Sequence, residues 1–133
     1  MEAELARMRY LINREPAARF RVERTMARAT RCTAMITGLP GGKACGSMVE
    51  RGAEDLALAK NALRLIREEL AARRKVLQGY IERLESPLQR TVMELRYMDG
   101  HRAREIAYLL SYSEQHIYRV LAEAEKDIIR MCE

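Results

Sequence analysis

Apolar residues recur along this chain at helical spacing, and nowhere do they alternate over the length of a strand. Between residues 49 and 85, Leu56, Leu63, Leu70, Leu77 and Leu84 stand seven apart, with Ala59, Ile66, Arg73 and Tyr80 three places after them. That is a coiled-coil stripe on one helix of roughly 55 Å. An earlier stripe of Leu5, Met8, Ile12, Val22, Met26, Ala29, Thr33 and Ile36 predicts a first long helix, with a kink or restart at Pro16 and Glu15 pushed toward an extended conformation. A Gly-rich stretch at about 37–48 separates the two. The leucine stripe can pair with the first helix or with a second copy of the chain, and an antiparallel hairpin within one chain is favoured.

The last third carries a different pattern. Ser86-Pro87-Leu88-Gln89 opens a helix with a capping Ser, a Pro at the first helical position and a Gln three residues after the cap, and Asp99-Gly100 closes it. Between these marks Leu88, Val92, Leu95, Arg96 and Tyr97 keep the stripe. From Leu95 to Ile128 the spacing is that of a helix-turn-helix: Ile106, Ala107, Leu110, Tyr112, Ile117 and Val120 occupy the places that must be apolar or small. Ala107 lies where two helices cross closely. The turn is Ser111-Tyr112-Ser113, whose first residue needs a positive φ at a cost on the order of 1 kcal/mol for Ser, and Ser113 caps the final helix. Tyr97, Tyr108 and Tyr112 are assigned to core and turn packing. The expected fold is all-α, with residues 1–85 forming a coiled-coil-like helical hairpin and 86–133 a helix-turn-helix domain.

Composition supports this and removes alternatives. With 48% hydrophobic and 32% charged residues, three Pro, no Trp and one Phe, the 133-residue chain suits small helical domains. No apolar run approaches the roughly 20 residues that span a bilayer, so no membrane association is expected. Cys32, Cys45 and Cys132 are odd in number and lack metal-ligand spacing, which points to reduced thiols and a cytoplasmic setting. A Walker loop is excluded around Gly38–Ser47, because Thr37 occupies the first Gly place and Ala44 the hydroxyl place. No nucleophile and base pair, metal cluster or cofactor loop survives inspection, so no enzyme, metal or cofactor is expected.

Charge is unevenly spread. Residues 1–48 hold nine basic against four acidic side chains, 49–85 eight against seven, and 86–133 seven against eight. The helix-turn-helix segment is thus slightly acidic, and the basic excess lies in the first helix, where Arg7, Arg9, Arg14, Arg19, Arg21, Arg24, Arg28 and Arg31 recur. That row is either a solvated helix face or a second nucleic-acid contact.

Leu95-Arg96-Tyr97, Asp99-Gly100, Glu105-Ile106-Ala107, Tyr112-Ser113, His116-Ile117-Tyr118-Arg119 and Ala124 resemble region 4 of bacterial sigma factors. With Leu39-Pro40-Gly41-Gly42-Lys43 before a long charged helix, the whole chain is similar to phage late transcriptional regulators of the RinA and ArpU type. Arg102 and Ser111 depart from that pattern, standing where many relatives carry a Ser or Thr cap and a Gly. The resemblance implies a phage or prophage regulator of late genes that binds double-stranded DNA, with host RNA polymerase as a further partner to consider.

Helical spacing then sorts the contacts. Ile117, Val120, Leu121, Ala124 and Ile128 share the buried face of the last helix, leaving Ser113, Glu114, Gln115, Tyr118 and Arg119 to meet base edges in a major groove. His101, Arg102, Arg104 and His116 are assigned to phosphate. Residual apolar surface on the long helices predicts a homodimer presenting two such helices. A competing reading is a sigma-region-4-like adaptor that binds RNA polymerase or another regulator without reading DNA. A phage packaging subunit also combines such a motif with a coiled coil, but there the motif usually comes first in the chain.

Overall fold

The computed structural model describes residues 1–38 and 43–133, with side chains outside 32–49. Its elements are α1 (Glu2–Gly38), α2 (Lys43–Ile81), α3 (Pro87–Met93) continued by a wide π-helical turn (Glu94–Met98), α4 (Ala103–Leu110) and α5 (Glu114–Cys132). The fold is all-helical among the described residues, with two long helices followed by short ones, as the periodicity predicts. None of these helices is long and apolar enough to cross a membrane. Helix extends over residues 37, 38 and 43–48, which the sequence reading placed in the loop. The rest of the Gly-rich stretch, residues 39–42 within the rejected Walker loop, lies outside the described residues.

Contacts divide the chain into two compact units, Met1–Ile12 with Glu69–Glu133 and Asn13–Glu68. In the first, the start of α1 lies antiparallel to the end of α2: Arg7 donates to both Glu69 oxygens at 2.9 and 3.1 Å, and Arg73 bridges Glu4 and Glu69. Leu5, Met8, Leu11 and Ile12 are buried with Leu70, Leu77 and Ile81. That core continues into Leu84, Val92, Met93, Tyr97, Ile106, Ile117, Ala124 and Ile128, so the short helices share it with the ends of the long ones. Burying each of these larger side chains contributes about 1.5–3 kcal/mol.

In the second unit α1 and α2 are also antiparallel, with Arg67 reaching Glu15 at 3.2 Å and Gly52 close to Ala29. Ala59 and Leu63 are buried here, while Leu56, Ile66, Ala18, Val22, Thr25 and Ala29 are half-buried. Two expectations are corrected. α1 passes Pro16 without a break and Glu15 is helical. Proline removes a single ladder bond, its ring points to solvent, and the adjacent turns are held to α2 on the opposite side. The seam between the units nonetheless falls after Ile12, whose carbonyl would have accepted from residue 16. Met26 is 45% exposed, and Thr25 takes its place in the stripe with its hydroxyl bonded to the Arg21 carbonyl.

Candidate nucleic-acid interface

Four local devices position the last two helices. Ser86 accepts from the Gln89 N–H at 3.4 Å, starting α3 with Pro87 at its first position. The turn that follows ends when the N–H groups of Asp99 and His101 reach the carbonyls of Glu94 and Leu95 at 3.1 and 2.9 Å. Gly100 adopts a φ of +76° there, where a Cβ would stand 3.6 Å from the Ile12 side chain. Arg102 occupies the N-cap of α4 and makes no side-chain cap bond.

Ser111 ends α4 in the left-handed conformation, at φ 59° and ψ 38°, as the turn pattern predicts. The Tyr112 N–H then donates to the Ala107 carbonyl at 3.0 Å. Ser113 restarts the chain at φ −72° and ψ 150°, and its hydroxyl accepts from the His116 N–H at 3.2 Å. Ala103, Ile106 and Ala107 of α4 and Ile117, Val120 and Leu121 of α5 are buried, and Leu110 is half-buried. α5 packs on both α3 and α4.

Farther along α5, a polar cluster fixes its second half. The buried Tyr97 hydroxyl donates to Glu125 Oε1 at 2.5 Å and accepts from Arg9 at 2.9 Å, while the same Arg9 nitrogen reaches Glu125 at 3.2 Å. Arg74 donates to the Tyr97 carbonyl at 2.7 Å. Burial, reinforced by Glu125 and opposed by Arg9, pushes the Tyr97 phenol well above its ordinary pKa. The hydroxyl therefore stays protonated as the donor that the cluster needs.

The face left outside is polar. Ser113, Glu114, Gln115, Tyr118 and Arg119 are all exposed, at the N-cap and in the first two turns of α5. Gln115 can donate and accept at once, and Arg119 offers a forked donor. His116 is half-buried with its ring centroid 4.9 Å from that of Tyr112. Arg102 and Arg104 are exposed, whereas His101 is half-buried with Nδ1 2.8 Å from Glu105.

The tyrosines divide. Tyr97 is fully buried as assigned and Tyr112, 46% exposed, packs its ring on His116 in the turn, but Tyr108 is 87% exposed, which corrects its assignment to packing. With Ala103, Ile106 and Ala107 facing inward, position 108 must point outward on a helix of 3.6 residues per turn. Tyr108 and the half-exposed Leu109 line a surface pocket of about 420 Å³ with His101, Arg104 and Glu105. The sequence reading did not single out this patch, although the helical phase of α4 already carries it.

Among the described residues no group of His, Cys, Asp or Glu could hold a metal ion. Cys132 is an exposed free thiol. Cys32 and Cys45 lie outside the described side chains.

The model of a protein family of unknown function, DUF1492, matches residues 49–128, more than half of the chain, and the chain belongs to that family. No curated protein and no solved structure matches it.

Proposed function

We propose that this protein is a sequence-specific regulator of transcription that binds double-stranded DNA by laying the start of α5 in the major groove. The observation that carries the reading is the exposed polar face of Ser113, Glu114, Gln115, Tyr118 and Arg119 on a helix held from behind by Ile117, Val120, Leu121 and Ala124. Such a face is what a groove admits. Gln115 suits the adenine edge, Arg119 guanine, Glu114 the cytosine amine, and Tyr118 a thymine methyl or phosphate. Ser113 sits at the entry. Arg102, Arg104, His101 and His116 flank it as phosphate contacts. The resemblance of residues 95–124 to sigma region 4, and of the chain to RinA- and ArpU-type regulators, supports a phage or prophage origin and a role at late genes. A cytoplasmic homodimer is part of this reading, since two copies of α5 would read a palindromic site.

Selection of bound duplexes from a random pool, followed by gel-shift titration, tests it. Gln115→Ala and Arg119→Ala should each weaken a selected site by about 5- to 150-fold and relax base preference, while Arg102→Ala should weaken all sequences alike. Equal binding by wild type and the Arg119 variant refutes the docking.

A second reading rests on Tyr108 and Leu109. An exposed aromatic and aliphatic pair on α4 suits a protein partner, as in an adaptor that grips RNA polymerase without reading DNA. DNA affinity absent at low salt, with polymerase retained by wild type and lost by Tyr108→Ser, would favour it.

A further inference from the structure

The helices that present α5 are poor in the charge that duplex DNA demands. Residues 86–133 hold seven basic and eight acidic side chains. Affinity for duplex DNA rests heavily on neutralising phosphates with Lys and Arg. The unit Asn13–Glu68 offers such charge on α1. Arg21, Arg24, Arg28 and Arg31 follow at intervals of three, four and three residues, which places them along one side of the helix, and all four are exposed. The helix turns a different side, with Ala18, Val22, Thr25 and Ala29, to its surroundings.

Two other arginines of the same unit are matched, Arg64 with Glu68 at 3.0 Å and Arg67 with Glu15 at 3.2 Å. Arg21, Arg24, Arg28 and Arg31 enter no ion pair among the described residues. Glu23 is the single acid between residues 16 and 37, and it lies off their line. Four guanidinium groups that enter no ion pair among the described residues, over about 15 Å of helix, form a linear cationic array. Duplex DNA carries a phosphate charge about every 1.7 Å of its axis and matches such an array without any base being read.

We propose that the Arg21–Arg31 side of α1 is a second DNA-binding surface, specific for the phosphate backbone of duplex DNA and indifferent to sequence. It rests on the proposed function and deepens it: α5 selects the site and α1 supplies most of the electrostatic affinity. The test is the salt dependence of binding by the full chain to a selected duplex and to an unrelated one. Replacing Arg21, Arg24, Arg28 and Arg31 together by Gln should flatten the slope of log K against log salt by about three to four on both duplexes. At 100 mM salt it should lower affinity by at least about tenfold on each. The corresponding Arg→Lys variant should bind as wild type does, because a backbone contact needs charge and not a fork. Circular dichroism of each variant checks that helix content is retained.

An unchanged slope in the Gln variant overturns the inference while leaving the role of α5 intact, and loss confined to the selected duplex overturns it too. The double variant Gln115→Ala/Arg119→Ala should lose base preference but keep the wild-type slope. If the unaltered protein binds no duplex at 20 mM salt, the proposed function falls and this surface falls with it, even if the stripe captures an acidic protein.

Discussion

Tyr97→Phe removes one oxygen from the cluster that joins α1, the turn after α3 and α5. The Tyr97 side chain is fully buried, and its hydroxyl donates to a carboxylate and accepts from a guanidinium. A hydrogen bond to a charged partner contributes about 1.5–3 kcal/mol. Arg9 and Glu125 remain 3.2 Å apart without it, so neither is left as an isolated charge and the cost stays in that range. For a chain of this size that corresponds to a melting temperature lower by roughly 5–12 °C, read by circular dichroism at pH 7.

The same oxygen has a pH signature. Its pKa is raised in the folded state above the ordinary tyrosine value of about 10, so in that range the folded chain holds a proton that the unfolded chain gives up. The stability it contributes is fully present below about pH 10 and is lost as pH rises toward the folded value. Wild type should therefore destabilise more steeply than Tyr97→Phe between pH 9.5 and 11, and the gap between them should narrow. Other groups titrate in both proteins and cancel in the difference. Equal melting at pH 7, or parallel curves up to pH 11, refutes the reasoning.

Ser111→Gly should stabilise the protein by roughly 0.5–1 kcal/mol, since Gly carries no penalty at φ 59° and loses part of the gain to a freer unfolded chain; a lower melting temperature contradicts this. Ile117→Ala empties a fully buried site behind the exposed face of α5 and should cost about 2–5 kcal/mol in urea unfolding; under the proposed function, gel-shift affinity for a selected duplex should fall in parallel. Arg7, then Arg73, holds the Glu69 carboxyl below the usual carboxylate range. Its contribution is present above about pH 4.3 and is lost as pH falls through the lower folded value, so Glu69→Gln should melt with a shallower acid limb between pH 4.5 and 3.

Local chemistry alone determined the short elements. The Ser86-Pro87 start, the Asp99-Gly100 stop, the left-handed Ser111 and the Ser113 cap each depend on a few neighbouring residues, and each stands where the sequence places it. The heptad leucines likewise announce which side of α2 is buried, because a 3.6-residue period needs no knowledge of the partner. The outward positions of α5 follow from the same count. Only the tertiary structure decided what lies against those faces. That Arg9, more than eighty residues away in the chain, completes a cluster with Tyr97 and Glu125 is a long-range pairing no local pattern encodes. Pro16 stays inside a helix because the adjacent turns are held to α2 while its ring faces solvent, which outweighs one missing bond, a balance that propensity alone weighs the other way. Tyr108 is exposed although aromatic, because in a packed helix the direction of Cβ and not side-chain character settles which residues meet the core, and Thr25 takes the inward place one residue before the exposed Met26.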